Sequence, residues 1–142
     1  MRYDRKGAGR ASLCVSSQCG CAMGCTFCAT GTMGLSGNLT SAEILEQMVH
    51  ADSVLAQEFE EREDKSKKLD LVRNVVFMGM GETLDNYRNV VEACRGMLDR
   101  RRWNLAHGRV TVSTVGLISQ MRKLSKELPE VSLALSLHAP NQ

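Results

Sequence analysis

Short apolar runs and longer amphipathic stretches take turns along this chain. Leu13-Cys14-Val15-Ser16 reads as a short buried strand. Thr40-Ser41-Ala42-Glu43 then has the form of a capping box, with Thr40 accepting from first-turn amides and Glu43 reaching back. Behind it, Ile44, Leu45, Met48, Val49 and Leu55 fall on one helical face. A second strand is expected over Asn74-Val75-Val76-Phe77-Met78, ending at Gly79-Met80-Gly81-Glu82. Leu84, Tyr87, Val90, Val91, Cys94, Met97 and Leu98 form the next helical stripe, on which Cys94 reads as a core residue. Val110-Thr111-Val112-Ser113-Thr114 is a third strand, followed by a helix carrying Leu117, Ile118, Met121 and Leu124 that Pro129 stops. Val131 to Leu137 is a fourth strand. The stretch 58–68 is almost wholly charged and reads as a solvated helix extension or linker.

The order is therefore β-α-β-α-β-α-β, with strands mostly apolar on both faces, which predicts a parallel sheet covered by helices. In parallel α/β folds the site lies at the carboxyl ends of the strands. Four polar elements meet that condition: the loop after the first strand, Gly81-Glu82 after the second, Ser113 on the third, and Ser136-Leu137-His138 on the fourth.

Size and composition change the picture little. A chain of 142 residues with 43% hydrophobic content supports one domain with a real core. No apolar run approaches the ~20 residues of a membrane span, and no membrane partner is expected. The net charge of +2 does not by itself argue for nucleic acid. Basic residues nonetheless cluster, as Arg2, Arg5, Lys6 and Arg10 around Tyr3, and as Arg100-Arg101-Arg102 beside Trp103. Either cluster could neutralise phosphates or simply face solvent. No Arg-rich, acid-poor presequence is visible. Six cysteines, two of them separated by one glycine (Cys19-Gly20-Cys21), suit reduced thiols in a cytoplasmic setting better than a disulfide framework.

The strongest chemical signal is Cys21-Ala22-Met23-Gly24-Cys25-Thr26-Phe27-Cys28. Four thiolates usually close a cubane iron–sulfur cluster, so three leave one iron open for a reactive cofactor. A structural zinc site wants four closing ligands and would have to recruit Cys14 or Cys19. The spacing resembles that of the radical S-adenosylmethionine (SAM) superfamily, in which the cofactor's amino and carboxylate groups chelate the fourth iron.

Further motifs resemble one branch of that superfamily, the ribosomal RNA adenine carbon-2 methyltransferases. They are Leu13 to Gln18, the cysteine loop with Ala29-Thr30-Gly31, Met78 to Glu82, Thr111 to Gly116, and Ser136-Leu137-His138-Ala139-Pro140, in the family's order. The resemblance implies a partial (β/α) barrel of the radical-SAM type, with about four strands and three helices of a six-unit barrel. Residues 1–10 would be a basic lead-in and 11–142 an incomplete core domain. It implies Cys21, Cys25 and Cys28 as ligands of a [4Fe–4S] cluster, with SAM as second cofactor. Phe27 would pack near the cofactor's adenine, unless it is plain core. Gly81 and Glu82 would bind its methionine end, and Ser113, Ser136, Leu137 and His138 would make further cofactor contacts. Cys14 matches the resolving cysteine, which breaks a covalent protein–RNA link by pairing with a methyl-carrying cysteine near the C-terminus. The lesser alternative for Cys14 is a small buried residue of the first strand.

The implied partners are ribosomal RNA, transfer RNA for some members, and an electron donor such as a flavodoxin or ferredoxin. Thr83 stands where the family commonly has Pro, which should loosen the turn at Glu82. Cys19 makes Ser-Gln-Cys-Gly-Cys similar also to the carbon-8 methylating enzymes. Because no methyl-carrying cysteine or later strands follow, the chain reads as part of a longer enzyme. A truncated iron–sulfur module without turnover, or a radical enzyme acting on a small molecule, are the competing classes.

Overall fold

The computed structural model describes residues 2–3, 10–63 and 71–137. In chain order the elements are β1 (Arg2–Tyr3), β2 (Arg10–Cys14), β3 (Gln18–Gly20), β4 (Leu35–Asn38), α1 (Ser41–Glu60) and β5 (Leu71–Phe77). A single 3-10 turn (Thr83–Asn86) leads into α2 (Tyr87–Leu98), followed by β6 (Val110–Thr114), α3 (Ile118–Glu127) and β7 (Ser132–Leu135). The capping box forms as expected. Thr40 Oγ1 accepts the Glu43 N–H at 3.2 Å, and the Glu43 carboxylate accepts the Thr40 N–H at 2.7 Å.

Four strands, in the order β2-β5-β6-β7, pair in parallel, and β1 joins β2 antiparallel at one edge. Spatial order follows chain order without reversal. Right-handed crossovers then put every connecting helix on the same side, the winding of a barrel rather than of a doubly wound sheet. One core results, in which Val72, Val75, Phe77, Val110 and Val112 meet Ile44 and Met48 of α1, Val90, Cys94 and Met97 of α2, and Leu124 of α3.

The opposite face is small and polar. The pairing register sets Cys14 beside Val76, Val76 beside Thr111, and Ser113 beside Ala134. A bulge at Ala11/Ser12 lets both Arg73 and Asn74 turn away from the core, so that Val72 and Val75 stay beneath the helices. The expectation of strands apolar on both faces is thus corrected: among the described residues the helices cover one face, as a partial (β/α) barrel requires.

Other differences are local. β2 and β5 begin earlier than the apolar runs alone predict. The hairpin of β3 and β4 has no counterpart in the hydrophobic pattern. Val49 and Ile118, expected on buried stripes, are exposed, because α1 turns Val49 past the core-facing line of Ile44, Met48 and Leu55 and Ile118 opens α3. The charged stretch begins as the last turn of α1, and 64–70 lie outside the described residues.

Cys94 is 0% exposed, and burial pushes its thiol up to about 12. The folded state therefore holds this proton over a pH range in which the unfolded chain releases it. That contribution is complete below about pH 9 and is lost as pH rises toward 12, at about 1.4 kcal/mol per pH unit. Urea midpoints measured from pH 8 to 11 should fall, and Cys94→Ala should make the fall shallower. An unchanged slope in that variant would contradict this account.

Candidate functional site

The carboxyl ends of the strands carry the candidate residues. After β2 the chain crosses to β5's extension, where the N–H groups of Ser17 and Gln18 donate to the Met80 carbonyl and the Gly79 N–H donates to the Val15 carbonyl. Ser16 Oγ accepts the Met80 N–H at 3.0 Å. The Gln47 amide of α1 closes on Ser16 from behind, accepting its N–H at 2.9 Å and donating to its carbonyl at 3.0 Å. The base of the loop is thus tied to two neighbouring elements before the cysteines begin.

The cysteine loop, 21–34, springs from this base and is closed at its neck by the antiparallel pairing of β3 with β4. Cys21 N–H donates to the Gly34 carbonyl at 2.9 Å. Gly20 has φ +79°, and a Cβ there would lie 1.9 Å from the Gly34 oxygen, so only glycine lets the two sides of the neck meet. Within the loop, turns close from Cys25 to Cys28, from Cys28 to Gly31 and from Thr30 to Met33.

All six cysteines are free thiols. Cys21, Cys25 and Cys28 are partly exposed in one loop, and the stretch from Ala11 to Ala42 contains no charged side chain. Cys28 is held below the ordinary thiol range, chiefly by the backbone N–H of Thr30, with the Thr30 hydroxyl and the Gly31 N–H adding to it. Among the described residues no three His, Cys, Asp or Glu side chains converge as ligands of one ion. A cubane makes a different demand, since each thiolate takes its own iron, and three free thiols on one loop fit it in number and chemistry.

Gly81 and Glu82 follow β5. The Glu82 side chain is 4% exposed and turns under the end of β6. Oε1 accepts from Thr114 Oγ1 at 2.6 Å and from the Leu84 N–H at 3.1 Å, and Oε2 accepts from the Val115 N–H at 2.9 Å. Thr83, expected to loosen this turn, is packed into it. It is buried, opens the 3-10 turn that Glu82 caps, and directs its hydroxyl at the Phe77 carbonyl 3.4 Å away. Thr114 was missed by sequence reasoning, although it lies inside a quoted motif.

Ser113 and Ser136 come together on the helix-free side, with Oγ···Oγ 3.1 Å. Leu137 beyond them is exposed, and Phe27 is 66% exposed, so Phe27 is not core. Cys14 is exposed at the end of β2 on the same helix-free side, which overturns the buried-core alternative for it. His138 lies outside the described residues. The sheet rim therefore joins Glu82 to β6 and Ser113 to Ser136, and the base of the cysteine loop is bonded to Met80, next to Gly81.

A sequence model of the radical SAM superfamily matches residues 15–142. The chain belongs to that superfamily. The crystal structure of a radical SAM methyltransferase from Sphaerobacter thermophilus aligns with the radical SAM chain at a TM-score of 0.80 and 39% sequence identity, covering 99% of this chain. This chain spans 38% of the length of that one. Its fold is α/β, with the parallel four-strand sheet and three helices of a partial radical-SAM barrel. Superfamily chemistry uses a [4Fe–4S] cluster together with SAM. No helix among the described residues is long and apolar enough to cross a membrane.

Proposed function

We propose that this chain is the core of an RNA methyltransferase that acts on carbon 2 of an adenine in large-subunit ribosomal RNA, with transfer RNA as a second substrate. The observation that carries this reading is Cys14, a free, exposed thiol on the helix-free face, at the end of the strand that leads into the cysteine loop. A merely structural cysteine would sit beneath the helices, as Cys94 does.

Cys21, Cys25 and Cys28 would hold the cluster. Gly81 and Glu82 would take the methionine end of SAM, whose ammonium suits the acceptor capacity left on this turn, since a carboxylate offers about four acceptor positions and three are filled. Ser113, Ser136, Leu137 and His138 would line the rest of the cofactor, and Phe27 its adenine. Once bound, the reduced cluster and SAM would together supply a 5′-deoxyadenosyl radical. Cys14 would act after the methylene radical carried by a second cysteine has added to the adenine carbon, the adduct has returned one electron to the oxidised cluster, and the hydrogen on that carbon has left as a proton. Its sulfur forms an S–S bond with that cysteine as the cysteine's S–C bond breaks. The carbon keeps the electron pair and takes a proton, becoming the methyl group, and the disulfide is later reduced by thiol exchange. Reducing electrons would come from a flavodoxin or ferredoxin.

The test uses the longest reading frame that contains this chain, purified without oxygen and given SAM, a reductant and ribosomal RNA. Nucleoside mass spectrometry should find 2-methyladenosine. Cys14→Ala should stop turnover and leave RNA covalently bound to protein. Formation of 8-methyladenosine would reassign the reaction to carbon 8, the alternative to which Cys19 also points. SAM cleavage with no RNA modified would overturn the proposal.

A further inference from the structure

We infer that Gln18 is a positioning residue that sets the Gly81–Glu82 turn against the neck of the cysteine loop. The inference rests on the reading that this turn receives the methionine end of SAM. Gln18 is the first residue of β3 and is 1% exposed. Its amide makes three hydrogen bonds, one to β4 and two to the 3-10 turn with its cap Glu82. Oε1 accepts the Glu82 N–H at 2.9 Å, while Nε2 donates to Asn38 Oδ1 of β4 at 2.7 Å and to Asp85 Oδ2 of the 3-10 turn at 3.0 Å.

One side chain thus ties the hairpin that closes the cysteine loop to the turn that follows β5. The fit is tight as well as bonded. Gly81 has φ +102°, and a Cβ on it would lie 2.6 to 2.8 Å from Gln18 Cβ, Cγ and Oε1. Nothing larger than a backbone passes between Gln18 and the turn. Beside the backbone bonds of Ser17 and Gln18 to Met80, this amide is the side-chain tie that fixes the loop neck against the Gly81–Glu82 turn.

Residue chemistry explains why an amide stands there. The site needs an acceptor for a buried N–H and donors for two oxygens, and glutamine supplies both without charge. A glutamate would keep the acceptor but would place a carboxylate against Asp85. A methionine of similar length would leave the Glu82 N–H buried and unpaired. The turn would meet SAM directly, whereas the cysteines stand beyond the loop neck, so a turn held loosely should weaken cofactor binding before it affects cluster loading.

The experiment uses the full-length polypeptide with a reconstituted cluster and needs no RNA, so the outcome is separable from that of the methylation assay. Iron and sulfide content, SAM affinity, and the change in the reduced cluster's electron paramagnetic resonance spectrum on adding SAM are measured for each variant. Gln18→Met should keep its iron, weaken SAM binding by roughly ten- to hundredfold and diminish the spectral change. Gln18→Glu should also be impaired. The double variant Gln18→Glu/Asp85→Asn, which returns a donor opposite the carboxylate, should recover most of the affinity. SAM affinity unchanged in Gln18→Met overturns the inference. So does loss of cluster and SAM in proportion, which would make Gln18 merely structural, and so does a double variant no better than Gln18→Glu. If Glu82→Ala binds SAM normally, the reading of the turn itself falls.

Discussion

Cys25→Ala should leave the purified chain almost without iron, at about a tenth of the wild-type content or less, and without the broad visible absorbance of an iron–sulfur cluster. The expectation follows from ligand number. A cubane held by three thiolates already has one iron without a protein ligand, and removing another thiolate opens a second iron to solvent. The loop cannot easily substitute, because its neck is pinned by the meeting of Gly20 with Gly34 and its turns run through Cys25 and Cys28 themselves. Cys94→Ala is the matched control, since that thiol is buried under the helices and should leave iron content unchanged. Full iron in Cys25→Ala would sink the ligand assignment.

The second large effect is expected at Glu82, and it has two parts. Glu82→Ala removes the acceptor for Thr114 Oγ1 and for the N–H groups of Leu84 and Val115, leaving donors at a buried position. An unmade hydrogen bond of this kind costs about 1–3 kcal/mol, so a loss of about 3 kcal/mol in urea denaturation is expected. SAM binding should be lost as well. Glu82→Gln should sit between, because its amide nitrogen would face a donor while its oxygen still accepts. A residue that only touched the cofactor would lose SAM affinity at constant stability. Unchanged stability in Glu82→Ala would therefore show that the bonds to β6 carry no weight.

Much of this molecule was legible because its signals are local. The Thr40–Glu43 capping box lies within four consecutive residues, and Val110–Thr114 is a mostly β-branched, alternating run of strand length. The cysteine triplet announced itself by spacing. What escaped notice depends on partners distant in sequence. Gln18-Cys19-Gly20 and Leu35 to Asn38 have neither alternation nor bulk, and they become strands because each satisfies the other's backbone groups. Glu82 also holds Thr114 on the next strand, a partner that the Gly-Glu motif does not name. Val49 was assigned to a buried stripe on hydrophobicity, although the stripe on α1 is narrower than its apolar residues. The single-sided helix layer is a property of strand order, which periodicity does not encode.

The neck of the cysteine loop also has a consequence for timing. β3 and β4 are close in the chain, whereas β2 must wait for β5, which follows the whole of α1. Closing the neck costs little chain entropy, and synthesis proceeds from the N-terminus. The ligands for iron can therefore be gathered before the first parallel pairing of the sheet exists. The docking of Ser17 and Gln18 onto the Met80 carbonyl comes afterwards. Assembly would then run from the loop outward, with the sheet closing around a site whose outline is already drawn.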